Sequence, residues 1–256
     1  MNKNINWYKI FNNKNFSYYK DSKCLKKNNY FHYSFNLQKI IYPGLNFYKF
    51  KKIIKFMINT LKIKKKKTIL DFGSGNGAFL NYFTKKYDLR NNLSFELSRP
   101  LINFQKKFIT KTNFYQTNQK KNNVFKKIDN NIVDYSFSNS VFQYFHSNLY
   151  CLSVLDFLIR VTKESILIYD IKDFNKKNIY KRKVRIRQNL SSTEFKNKYK
   201  NTPIRFYKKI FFIKILNKLK KKYDFKYEFI SMPVSATDSK FSYCLLIKKY
   251  SENYEK

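Results

Sequence analysis

Glycine and proline are scarce in this sequence, four of each among 256 residues, and no Pro/Gly-rich linker or internal repeat divides it. A string of flexibly tethered modules is therefore excluded. Cysteine is limited to Cys24, Cys151 and Cys244, which are odd in number, far apart and in no metal-like spacing. They read as reduced thiols, which argues against a disulfide framework and for a cytoplasmic location. No apolar run reaches eighteen residues, and the richest helical stretch, 204–219, is interrupted by lysines, so no membrane-spanning helix is expected. The N-terminus, MNKNINWYKIFNNKNF, lacks an apolar core followed by small residues, which argues against a cleaved signal peptide. Histidine occurs only at His32 and His146, and no cluster of ligating residues is evident, so no metal site is expected.

Acids are also few: 16 against 54 basic residues, for a net charge of +38. Seven of the basic residues are Arg, leaving 54 − 7 = 47 Lys. Lys, Asn, Ile, Phe and Tyr abound while Ala, Gly and Arg are scarce, a pattern that AT-rich coding produces. Part of the charge is explained that way. The resulting surface would still attract anions, whether nucleic acid, the headgroups of an anionic membrane or a phosphorylated substrate. What the chain has in quantity is core material, 43% hydrophobic with 20% aromatic, enough for one large globular domain.

Periodicity then sets out the elements. Residues 1–45 are aromatic, polar and irregular, and end at the turn signal Tyr42-Pro43-Gly44. From 46 to 62, Phe47, Phe50, Ile54, Met57, Ile58 and Leu61 recur at helical spacing. Strands are predicted at 68–72, 93–97, 113–116, 132–137 and 165–169, and helices at 78–87, from Pro100 through 108, and at 149–161. Alternation of this kind predicts a parallel sheet covered on both faces. Residues 172–201 are basic and look inserted, with KRKVRIRQ at 181–188. Thr202-Pro203 suits an N-cap and first helical position, predicting a helix to about 222. The runs 225–230 and 241–247 are joined by MPVSATDSK, too short for a helical crossover, so they should pair antiparallel.

Three of the four glycines fall within TILDFGSGNGAFL, at Gly73, Gly75 and Gly77. One would serve a tight turn. Three, between a strand and a helix, let a ligand approach the main chain at the positive helix end. The stretch from Gly73 to Ala78 formally fits the dinucleotide pattern, with Glu96 near the position of its ribose-binding acid. It more closely resembles the first motif of class I S-adenosylmethionine-dependent methyltransferases: an apolar strand, an acid, one residue, then G-x-G-x-G. Asp71, two residues before the first glycine, is the discriminator. LSFELSRPLINFQKK, VDYSFSNSVFQYF and SILIYDIKD resemble the family's second, fourth and fifth strands with their flanking segments, and the resemblance runs over residues 46–249.

That resemblance implies a Rossmann-like, doubly wound α/β fold with seven strands, mostly parallel with an antiparallel last strand, and helices on both faces. It implies S-adenosyl-L-methionine as cofactor, held by Asp71, Gly73, Ser74, Gly75, Gly77, Glu96, Leu97, Thr117, Asn118, Ser138 and Asn139. Glu96 would take the ribose hydroxyls, and Thr117-Asn118-Gln119 would replace the acid that often holds the adenine. It implies a methyltransferase domain over 46–256 with a basic insert at about 172–206, and a cap in residues 1–45.

No catalytic residue is assigned. Tyr144, His146 and His32 are candidates for a base, each balanced against an ordinary loop or packing role. The N-P-P-[YF] element of many amino methyltransferases is absent, since the position reads Ser138-Asn139-Ser140-Val141. The expected acceptor is a small molecule, a glycan or a lipid-linked intermediate. An RNA acceptor and a non-catalytic, partner-binding role are the alternatives.

Overall fold

The structure is a computed structural model and describes residues 34–36, 45–119, 123–200, 204–233 and 239–250. His32, Cys24, the N-terminal aromatics Trp7, Tyr8, Phe11, Phe16, Tyr18 and Tyr19, the turn at Tyr42-Pro43-Gly44, and Thr202-Pro203 lie outside those residues.

Helix α1 (Phe47–Leu61) starts where the Asn46 side chain accepts the Lys49 amide at 2.9 Å, and it buries Phe50, Ile53, Ile54, Met57 and Leu61. Alternation follows as predicted: β1 (Ile69–Phe72), α2 (Ala78–Tyr87), β2 (Asn92–Glu96), α3 (Arg99–Gln105), β3 (Thr112–Gln116), a one-turn α4 (Asn123–Lys126), β4 (Val133–Asn139), α5 (Asn148–Val161) and β5 (Thr162–Lys172). Two basic helices, α6 (Lys177–Arg187) and α7 (Ser192–Tyr199), come next. Then α8 (Lys209–Leu219), β6 (Phe225–Ser231) and β7 (Ser242–Lys249) follow.

The strands form one sheet in the order β3-β2-β1-β4-β5-β7-β6. The β1–β2, β2–β3, β1–β4 and β4–β5 pairs are parallel; β7 runs antiparallel between β5 and β6. This is the expected seven-stranded sheet with its reversed last strand. Side-chain alternation splits the core into two layers. Ile69, Tyr135, Phe137 and Leu167 face α1 and α2, while Leu70, Phe95, Ile166 and Ile168 face α5 and α8. Cys151 and Cys244 are buried free thiols in those layers, and burial pushes the Cys244 thiol up to about 12.

One predicted element is corrected. The helix expected from 202 to 222 is α8 alone, Lys209–Leu219, and residues 204–208 are not helical. Tyr207 forms a parallel bridge with Asp173, its amide donates to the Lys172 carbonyl at 2.8 Å, and its hydroxyl donates to the Phe142 carbonyl at 2.8 Å. Pairing with the end of β5 overrides the helical spacing of Ile204, Tyr207 and Phe211.

Candidate functional site

The carboxyl ends of β1, β2 and β4 converge on the glycine turn. Gly73, Gly75 and Gly77 all adopt positive φ (76°, 58° and 76°), the left-handed region that favours glycine. Space is the second reason at two of them. A Cβ on Gly73 would lie 2.3 Å from a methyl of Val141, and one on Gly77 would lie 2.4 Å from Ile109 Cδ1. The turn is bound to the next strand: the Gly73 and Ser74 amides donate to the Phe95 carbonyl at 2.7 and 3.2 Å.

Glu96, at the end of β2, accepts three amides, from Gly75 at 2.7 Å, Leu97 at 2.8 Å and Ser98 at 2.9 Å. Burial raises its carboxyl above the ordinary range, and those three amides oppose the rise. Asp71 lies one strand away and is 2% exposed. It accepts no hydrogen bond from the described residues, and burial, followed by the nearby Glu96 charge, holds its carboxyl well above the usual range.

Gln105 holds this turn from behind, and the sequence reading missed it. Its side-chain amide donates to Ser74 Oγ at 2.8 Å and to the Gly75 carbonyl at 2.7 Å. Its Oε1 accepts from Ser94 Oγ at 2.9 Å. The available signal was a polar residue in an apolar stripe: Gln105 follows Leu101 and Ile102 by four and three residues, on the buried face of α3.

The remaining candidates fall around this centre. Thr117 is buried at the end of β3, its amide donating to the Glu96 carbonyl at 2.8 Å; Asn118 is exposed beside it. Leu97 is half-buried, with its carbonyl bound by Gln116 at 3.2 Å. Ser138 is fully buried and spends its hydroxyl on the Phe72 carbonyl at 2.9 Å, while Asn139 is half-buried at the end of β4. Burial raises the Tyr144 phenol, which also senses Asp170 and Lys172. His146 is exposed, with Nδ1 2.9 Å from Gln119 Oε1 and Nε2 3.2 Å from Ser147 Oγ. No group of three or more metal-ligating side chains occurs among the described residues.

A second polar cluster closes the edge between β4, β5 and β7. Asp170, at φ 62°, pairs with Lys172 at 2.8 Å and accepts the Ser140 hydroxyl at 2.6 Å. Ser140 is itself at φ 59°, and all three side chains are buried.

No family model matches the sequence, and no curated protein matches it either. Solved structures do resemble it. Geranyl diphosphate C-methyltransferase from Streptomyces coelicolor, solved with Mg2+, geranyl-S-thiolodiphosphate and S-adenosyl-L-homocysteine, superposes with a TM-score of 0.51 at 10% identity, covering 78% of this chain and 75% of that one. The small RNA methyltransferase HEN1 gives a TM-score of 0.53 at 14% identity over 80% of this chain and 26% of HEN1. The YcgJ protein of Bacillus subtilis gives 0.52 at 11% identity, covering 78% and 98%. With the strand order and the reversed β7, these similarities show the fold of class I S-adenosylmethionine-dependent methyltransferases.

Proposed function

We propose that the protein is an S-adenosylmethionine-dependent methyltransferase acting on a small-molecule, glycan or lipid-linked acceptor. The observation that carries this reading is Asp71, a buried carboxylate without a hydrogen-bonding partner among the described residues, beside Glu96 and a three-glycine turn. The methyl donor carries a cationic ammonium and a sulfonium, and Asp71 would offset that charge directly or through water. Gly73, Ser74, Gly75 and Gly77 would let the donor's carboxylate end approach the main chain at the start of α2. Glu96 would accept from the ribose. A carboxylate has about four lone-pair positions and three are filled here, so a second ribose bond would displace an amide. Leu97, Thr117 and Asn118 would flank the adenine, with Ser138 and Asn139 toward the methyl group.

Transfer from a sulfonium is an in-line displacement, so the chain's main tasks are to position the acceptor and exclude water. The acceptor enters above the carboxyl edge, beside Tyr144 and the Ser140–Asp170–Lys172 cluster. Calorimetry with S-adenosylmethionine or S-adenosylhomocysteine tests the donor assignment. Binding is expected at roughly micromolar Kd, and Glu96→Ala should weaken it by about 1.5–3 kcal/mol, the scale of hydrogen bonds to a charged group. No binding by the wild type, or tight NAD binding in its place, would refute the reading.

A further inference from the structure

Exposed aliphatic side chains and a run of basic residues lie together on α6 and beside it. Nine large apolar residues are exposed among the described residues, and Phe174, Ile179, Ile186 and Ile210 fall on α6 and the segments it touches. Ile179 and Ile186 are 58% and 63% exposed and one heptad apart, so both point outward from α6. Lys181 and Arg182 are exposed between them. Residues 174–193 contain no acid, and neither do 204–223. Partial burial of its side chain, followed by the neighbouring Lys177 charge, holds Lys181 below the ordinary lysine value.

The two segments are continuous. The Phe174 ring lies under Lys177 at 5.4 Å and under Lys208 at 5.1 Å. Tyr180 of α6 meets Phe206 at 5.6 Å. Beside Phe174 opens a cleft of about 380 Å³ lined chiefly by the 205–214 segment, with Arg205, Lys208, Ile210, Phe211 and Lys214 and no acid among its described lining residues. Leu149, 75% exposed, adjoins it through Asn148.

We infer that this face, the outer side of α6 with Phe174 and Ile210, docks on the surface of an anionic lipid bilayer. Cations interspersed with protruding aliphatic residues match a headgroup layer above an acyl boundary. Nucleic acid is the weaker fit, because the side chains that protrude furthest from α6, Ile179 and Ile186, are aliphatic and offer bases no ring to stack on. No helix among the described residues is long and apolar enough to cross a membrane, so the contact is peripheral. The inference goes beyond methyl transfer and does not depend on it. It does put the acceptor side of the sheet against the membrane, since the face adjoins the end of β5.

Sedimentation of the full chain with vesicles tests it, with neither donor nor acceptor present. The wild type should bind vesicles of phosphatidylcholine with phosphatidylglycerol and not those of phosphatidylcholine alone. Replacing Lys181, Arg182 and Lys208 by Gln should lower partitioning on the order of a hundredfold, at about fivefold per surface cation. Ile179→Gln with Ile186→Gln leaves the charge unchanged and should still lower it several-fold. Replacing Lys64, Lys65 and Lys66 by Gln removes equal charge from the opposite edge of the sheet and should leave partitioning within about twofold of wild type. Wild-type partitioning by the isoleucine pair, or an equal loss in the Lys64–66 variant, would overturn the inference in favour of generic attraction by a highly basic chain. Retained circular dichroism and a cooperative thermal transition show that each variant is folded.

Discussion

Asp71 and Glu96 hold their protons more tightly in the folded chain than in water, chiefly because burial disfavours the charged forms. Their contribution to stability is therefore fully present below the unfolded carboxylate range, about pH 4, and is lost as pH rises through the folded values. A cationic donor reverses this by favouring the ionised Asp71. Donor binding should then release protons, and affinity should rise with pH through the titration of Asp71. Titrations in two buffers of different ionisation enthalpy read this directly, and Asp71→Asn should abolish most of the difference. Equal heats in both buffers would mean that Asp71 is already ionised or faces away from the donor. At this scale the sequence revealed the acids and glycines, because a residue type at a fixed spacing is visible in a string. Gln105 was not legible, because its partners Ser74, Gly75 and Ser94 lie 11 to 31 residues away and meet it only through the fold.

The glycine turn shows what an element demands of its neighbours. Alanine at position 73 would face two obstacles, the left-handed φ of 76° and the methyls of Val141. Gly73→Ala should cost about 1–3 kcal/mol and most of the donor affinity. Trimming Val141 to Ala in the same chain removes the 2.3 and 2.8 Å contacts but not the φ strain, so it should restore part of the loss. Melting temperatures and donor titrations of the single and double variants separate the two causes; no recovery in the double variant would assign the whole requirement to φ. Element order was readable wherever local pattern and tertiary pairing agree, as in α2, whose observed bounds match the expected 78–87. It failed at 204–208, where a helical pattern yields to the pairing of Tyr207 with the end of β5. The length of β5 was underestimated too: 11 residues form, with the register shift between Ile168 and Ile171 where Asp170 turns left-handed. A bulge of that kind depends on the partner strand, and no local signal announces it.

For the molecule as a whole, repulsion among 54 cations facing 16 acids opposes the compact state. The ion pairs among the described residues are too few to offset it. Lys111–Asp88, Lys222–Asp156 and Lys248–Glu228 are exposed, a setting where such pairs contribute about 0–1 kcal/mol each. Lys172–Asp170 is buried, and much of its attraction is consumed by desolvation. Salt weakens both the repulsion and the exposed pairs, but repulsive pairs greatly outnumber attractive ones and many act within a Debye length of about 10 Å at 0.1 M. Adding sodium chloride from about 0.05 to 0.5 M should therefore raise the melting temperature. If screening relieves even about 2 kcal/mol, the rise is roughly 4–8 °C for a chain of this size. Chloride rather than sulfate keeps the effect electrostatic, because sulfate also strengthens apolar burial. The Lys181, Arg182 and Lys208 to Gln variant should start from a higher melting temperature at low salt and gain less on addition, since it carries three fewer cations. A melting temperature that falls with salt would show that the Lys67–Asp134–Glu164 and Asp170–Lys172 contacts outweigh the repulsion, and that the charge is balanced locally despite its excess.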